Sequence, residues 1–419
     1  MYKVKGISMK RNLTALMIFL VVQLLLWKVI PIISRTAHKN ASKPEVSQET
    51  NILQTTLKGH ALKVSSAAIT TDNKTVISGS EDNTIKIWNL ETGQLKRTLT
   101  GHTGVVNYLS VTSDGKYIVS AESKNIRIWN LLTGAFIREL ENPNGTINFV
   151  ETSQDGKTIV MDGGTQIIKT TKVDQSGYSY KTEITKYIIN VFDLQSGTSI
   201  SRIVNDNLLT KVEISPSGNI LVSGDNTGKL NIWNLRTGRL QKTLIGHEFE
   251  IKSIAISPDE KTIVSTDKDG QIKIWDVASG KLKITFTGHQ IQSYTDNVVK
   301  VLIPDNNTLV SWKTNTIYLN KNDVKVWNLQ TGELKYTLQP PKKQNSDLDS
   351  YFYFVTVSPD AKNLITQVEN SIQTWKVATG NLQNTIKIQG DILAFSPDGS
   401  ILATRVEENN INLQQINTK

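Results

Sequence analysis

Cysteine is absent from all 419 residues. That removes disulfides, thiolate nucleophiles, cysteine-ligated zinc and an acylated lipoprotein cysteine together. Histidine is scarce, with five in the whole chain. Neither a Walker-type phosphate loop nor a dinucleotide glycine fingerprint occurs. Past residue 51 there is no long helical period and no long apolar run, which leaves short strands as the building material. Acidic residues are outnumbered, 38 against 47 Lys and Arg, giving a net charge of +9. The surplus is local: eight Lys and Arg against two Glu lie in the first 51 residues. The remainder is close to neutral, so no nucleic-acid partner is expected.

The basic N-terminus frames an apolar segment. Residues 1–12 form a basic tail, 13–33 are apolar except for Thr14, Gln23 and Lys28, and 34–51 are a polar linker rich in Lys, Ser and Thr. A bilayer-spanning helix needs about 20 residues and the apolar part of a signal peptide about 7 to 15, so length permits both. Cleavage needs small residues at the last and third-last positions, yet a cut after Ala37 or Ala41 would place Arg35 or Lys39 there. A retained single-pass signal anchor is therefore expected, with a cleaved signal peptide as the alternative. Four basic residues precede the segment and three closely follow it. This bias favours an exported, periplasmic remainder over a cytoplasmic one.

What the chain does contain is a repeat. Trp88, Trp129, Phe192, Trp233, Trp275, Trp327 and Trp375 are each followed five residues later by glycine, and Ser or Thr precedes every one of those glycines. Such anchors about 40 to 50 residues apart, with strand-like units between them, indicate a propeller or solenoid. Each period holds four short alternating runs rich in Val, Ile and Thr, divided by Asp, Gly, Pro and Asn turns. A short hairpin loop needs positive φ, so the fixed offset marks one rigid strand-turn-strand unit.

Four of the five histidines follow a glycine, at His60, His102, His247 and His289. Ser78 and Asp82 precede Trp88 at the spacing with which Ser265 and Asp269 precede Trp275. His, Ser, Asp and an indole N–H can satisfy one another in a buried chain. This constellation resembles the WD40 repeat family, over about residues 52–419, and the SPDG and IWNLxTG phrasing resembles its bacterial members. The resemblance implies structural tetrads His60-Ser78-Asp82-Trp88 and His247-Ser265-Asp269-Trp275. Only units one and five are expected to be complete: unit two has Ser123 at the Asp position, and units three, four and seven lack the Gly-His pair. The final Asp of the family hallmark survives at Asp193 and Asp276 and is mostly Asn elsewhere.

The last unit, SPDGSILATRVEENNINLQQ, stops before a fourth strand, while residues 52–57 supply a spare strand ahead of the first unit. Pairing the two closes the ring and removes the open edge. The expected architecture is an all-β WD40 propeller of four-stranded blades over residues 52–419, eight-bladed in preference to seven, monomeric, and carrying one N-terminal transmembrane helix.

The repeat consumes the residues that chemistry would need, so no catalytic residue, metal or cofactor is expected. Insertions are the better lead. The interval from Asp155 to Phe192 is more than twice that from Asp72 to Trp88, and residues 167–187 read as a protruding hairpin with Tyr178, Tyr180, Lys181 and Tyr187. A second insertion surrounds Trp312 and Tyr318, and a third contains Lys342 and Lys343 before an aromatic run, residues 351–354, of which two rings are expected in the core. In the resembled family these connections emerge on one face. The implied function is a non-enzymatic, membrane-tethered scaffold for other proteins, with a periplasmic ligand- or glycan-binding propeller as the alternative.

Overall fold

The computed structural model describes residues 54–416 apart from 143–144, 154, 174, 177, 290–297, 315–322, 342–351 and 359. Among the described residues, 32 strands form eight separate four-stranded antiparallel sheets. Seven blades run consecutively, over residues 64–99, 108–141, 150–205, 209–244, 251–287, 298–338 and 352–387. The eighth combines three C-terminal strands with Gln54–Leu57, which pairs with Asn410–Gln415 from Gln54 opposite Gln414 to Leu57 opposite Ile411. The ring therefore has eight blades, and the seven-blade alternative is set aside.

Burial follows from the radial stacking. A blade is covered on both faces by its neighbours, so its inner strands read as nearly continuous apolar runs. Thr262–Asp267 is buried at all of its positions, whereas the rim strand Leu282–Thr287 exposes four of its six residues. Apolar side chains gather into eight clusters, one between each adjacent pair of blades. Ile77, Ile85 and Ile87 of blade one meet Val106, Ile118 and Trp129 of blade two. Leu57, Leu393 and Ile411 of blade eight meet Val64, Val76 and Trp88 of blade one, which closes the circle. The aromatic run behaves as expected: Phe352 joins the core between blades six and seven, Phe354 stacks on Phe395 at 5.6 Å, and Tyr353 is exposed.

The glycine five residues after each anchor closes the turn to the rim strand. Gly93 has φ +69° and donates its N–H to the Asn89 carbonyl at 2.9 Å, while Asn89 Oδ1 accepts the Thr92 N–H at 2.9 Å. Asp276 does the same for Ser279 at 2.8 Å. Only an acceptor oxygen is required, which is why Asn serves as well as Asp in this chain.

Candidate functional site

Three features share the face formed by the loops that carry the histidines. The first is the set of tetrads. In blade one the Trp88 indole N–H donates to Ser78 Oγ at 2.9 Å, Ser78 lies 2.8 Å from His60 Nε2, and His60 Nδ1 lies 2.8 Å from Asp82. Because the serine oxygen accepts the indole proton, its own proton goes to Nε2, which places the imidazole proton on Nδ1 facing the carboxylate. Burial lowers the pKa of His60 and outweighs the pull of Asp82. Burial opposes ionisation of Asp82, but Thr84, the Ala61 N–H and His60 together hold it down to about 2.

Blade five repeats the network with a different carboxylate. His247 Nδ1 lies 2.8 Å from Asp267, not Asp269, and Ser265 and Trp275 complete the chain. Asp269, expected here from its spacing to Trp275, instead sits exposed in the turn and donates its backbone N–H to Asp267. Asp267 ends its strand beside the imidazole; blade one has Ser80 at that register position, so Asp82 must reach in from the turn. Blade six is also complete, through His289, Ser311, Trp327 and Asp323. In blade two Glu122 rather than Ser123 faces His102, at 3.4 Å, and its longer side chain turns to the Thr103 N–H. Blade four substitutes Asn207, which donates to Asp225 at 2.8 Å.

The order Ser-His-Asp is that of a hydrolytic triad, but the environment is not. Ser78, Ser120, Ser265 and Ser311 have no exposed surface, and each oxygen is occupied by an indole. A nucleophile needs access to its substrate, so these networks are structural. They also explain the glycines before His60 and His247: a Cβ on Gly246 would lie 2.9 Å from the Trp275 ring and one on Gly59 3.2 Å from the Trp88 ring.

The second feature is the blade-three hairpin. Thr158–Val173 and Ser179–Asp193 pair continuously, with one register shift between Asp162 and Thr165. The flanking strands cover only its base, pairing with Ile159–Met161 on one side and Tyr187–Phe192 on the other. Beyond Thr165 and Tyr187 a two-stranded ribbon projects by roughly 30 Å, taking about 3.3 Å per residue. Ile168 opposes Ile184 and Thr170 opposes Thr182 on one face. Ile167 and the Lys169–Glu183 ion pair, 3.0 Å, lie on the other. Ile167, Ile168 and Ile184 are exposed, as is Tyr178, at 71%. Lys181 is exposed, Tyr180 stands opposite Lys172 in the register, and Tyr187 is half-buried at the ribbon's base.

Trp312 requires a correction. It is 7% exposed and packs in the core between blades six and seven, because its strand, Thr308–Thr314, runs through it. Tyr318, Lys342 and Lys343 lie outside the described residues, as does the apolar segment 13–33. Among the described residues no helix is long and apolar enough to cross a membrane, and no group of three or more His, Asp or Glu is placed to hold a metal.

The third feature is the axial channel. A cavity of about 1160 Å³ runs from Thr165 and Tyr187 at the ribbon's base past Tyr108 to Glu151, Lys211 and Glu213. The innermost strands set two tiers. Tyr108, Lys211 and Lys300 each immediately precede a residue paired with the blade's tetrad serine; Glu213 follows one, and Glu151 follows the residue opposite Met161, which fills the serine's place in blade three. Enclosure by the ring raises Glu151, against Lys211 and the Ile214 N–H, and raises Glu213 well above the carboxylate range, with Glu151 adding to it. The same enclosure lowers Lys211 and brings Lys300 down to about 8, Lys211 adding to the latter. Sequence reading missed these groups; the signal was the phrase TKVEIS in unit four where unit five has KSIAIS.

The WD domain, G-beta repeat model matches residues 201–234 and 238–276, and the NWD2 C-terminal beta-propeller model matches residues 55–179. The two WD40 repeat matches fall in blades three to five of the ring. The eight-bladed ring is similar to the crystal structure of the computationally designed Ika8 protein, with a TM-score of 0.61 and 23% identity over 86% of this chain and 98% of that one. That likeness concerns the fold. A comparison with curated proteins finds no match.

Proposed function

We propose that this chain is a non-enzymatic, membrane-tethered WD40 scaffold that docks other proteins on the face bearing the blade-three ribbon. The observation that carries this reading is the ribbon itself, which lays exposed isoleucines and Tyr178 beyond the last sheet neighbour. Apolar and aromatic groups on a rigid support are what a partner can bury with little loss of entropy. Among the described residues both edges of the ribbon lack strand neighbours, so an extended partner segment can add to either.

Residues 13–33 supply the tether and 34–51 the reach, on the order of 20–25 Å for a flexible chain of that length. The charge bias around the anchor supports a propeller on the exported, periplasmic side. The glycan-binding alternative loses ground, since six of the tryptophans (Trp88, Trp129, Trp233, Trp275, Trp312 and Trp327) are buried and none offers a stacking platform. The test is a full-length variant with residues 166–186 replaced by an Asn-Gly turn. It should keep the wild-type melting temperature and lose the partners that a photo-crosslinker on the ribbon captures; unchanged partner recovery contradicts the reading.

A further inference from the structure

We propose that the outer edge of the blade-three ribbon pairs with the same edge of a second copy of this chain, with Thr182 on the two-fold axis. The inference rests on the reading of the ribbon as a docking element: it gives one edge an occupant and leaves the Thr158–Val173 edge to other proteins. A dimer thus takes the place of the monomer expected from sequence. A two-stranded ribbon standing alone in water is marginal, and an open edge is a template for another strand. From Ser179 to Lys186 the outer edge has no strand beside it among the described residues, because Ser199–Asn205 stops opposite Tyr187. The ribbon's register shift lies below this stretch, between Asp162 and Thr165, so pairing within the ribbon is uninterrupted along it.

Charge selects both the edge and the register. In an antiparallel pair, opposed residues turn their backbone groups both toward each other or both away, so a symmetric pairing centres on a residue and not between two. Centred on Lys181 or on Glu183, the pairing sets like charges face to face at the axis. Centred on Thr182, it sets Lys181 opposite Glu183 twice, Ile184 opposite position 180 twice, and Ser179 opposite Thr185 at each end. Centres at Tyr180 or Ile184 run off the free edge within two residues. Opposite charges facing each other across strands stabilise a pair, and like charges destabilise it. Lys181, Glu183 and Ile184 are exposed in the single chain. Glu183 holds Lys169 of its own copy at 3.0 Å, so in the dimer its carboxylate stands between two ammonium groups. The other strand has Lys169 and Lys172 between Thr165 and Val173 and no acid, so no register gives that edge a complementary pair. Antiparallel pairing sets the two rings at opposite ends of a joined four-stranded sheet and brings the Ile168–Ile184 pairs of both copies onto one face.

The test uses the full-length protein purified in detergent, whose mass by light scattering should rise from one chain to two with concentration. Lys181→Glu and Glu183→Lys each set like charges across the axis and should each weaken the dimer about tenfold. An equimolar mixture of the two variants should recover it, because every opposed charge pair is then of opposite sign. Recovery also shows that both variants keep their fold. Since the chain has no cysteine, Thr182→Cys places one thiol at the axis, and mild oxidation should join two copies through it. Thr170→Cys, on the far strand and about 14 Å from its counterpart, should not join them. A protein that stays monomeric at every concentration overturns the proposal, as does a mixture that associates no better than either variant alone. Replacing residues 166–186 bears on the docking reading separately: unchanged recovery of other proteins contradicts that reading, while the dimer stands or falls on the charge variants.

Discussion

Arg405, on a middle strand of the last blade, donates from Nη1 to the Val64 carbonyl at 2.9 Å, across a separation of 341 residues in the chain. Val64 opens the innermost strand of blade one and packs in the same cluster as Leu57. The two ends of the propeller are thus held at the rim by Gln54–Leu57 and near the axis by Arg405.

Because Leu57 is 1% exposed in the closing cluster, Leu57→Ala should destabilise the whole propeller, by about 2–5 kcal/mol. Urea unfolding monitored by tryptophan fluorescence checks this. A single cooperative transition at lower urea is expected, since the core clusters form one continuous circle.

The tetrad assignment in blade five separates two aspartates. Asp267→Ala strands the buried Nδ1–H of His247 and should cost about 1–3 kcal/mol. Asp269→Ala, in an exposed turn, should leave the melting temperature nearly unchanged. Comparative thermal unfolding of the two variants decides the matter.

These two residues also show how far the sequence can be read. Repeated Trp, Gly and His positions specify the propeller units, because each residue answers a local steric or hydrogen-bonding need, while the eighth blade and the closure are legible from the truncated last unit and the spare strand at residues 52–57. Which carboxylate reaches an imidazole depends on whether the strand end or the turn offers it, a difference of two residues that spacing cannot resolve. Complete tetrad geometry in blade six was hidden by the long interval between His289 and Trp327. Trp312 read as part of an insertion because the length of its strand is set by pairing with Lys300 and Val324. The channel charges are ordinary strand residues in sequence and become a cluster only when the blades converge on an axis.

Stability should respond to pH in opposite senses at the two sites. Glu151 is raised from 4.5 to about 7 and Glu213 is raised well above 4.5, so between those values the folded state keeps protons that the unfolded state has lost. Their contribution is complete below pH 4.5 and declines as pH rises through the folded pKa. Conversely, His60 and His102 are lowered from 6.5, and their contribution declines as pH falls below that value. A Glu151→Gln, Glu213→Gln double variant should therefore gain in melting temperature over wild type progressively from pH 4.5 to 7.5. An offset that does not vary with pH would contradict this assignment.

Trp312 and Tyr178 should separate core from surface. Trp312→Ala empties a place between blades six and seven and should cost about 3–5 kcal/mol. Tyr178→Ala should change stability by less than about 0.5 kcal/mol, as expected of an exposed position. Chemical denaturation of both variants provides the comparison.

The docking claim is tested most directly by a photo-reactive residue placed at Tyr178 on the ribbon and, separately, at Leu132, which is 81% exposed in a turn on the opposite face. Irradiation of cells producing the full-length protein should yield a discrete cross-linked protein from position 178 and none from position 132. Equal cross-linking from both positions, or none from 178 in a correctly folded variant, would contradict the assignment of that face as the docking surface.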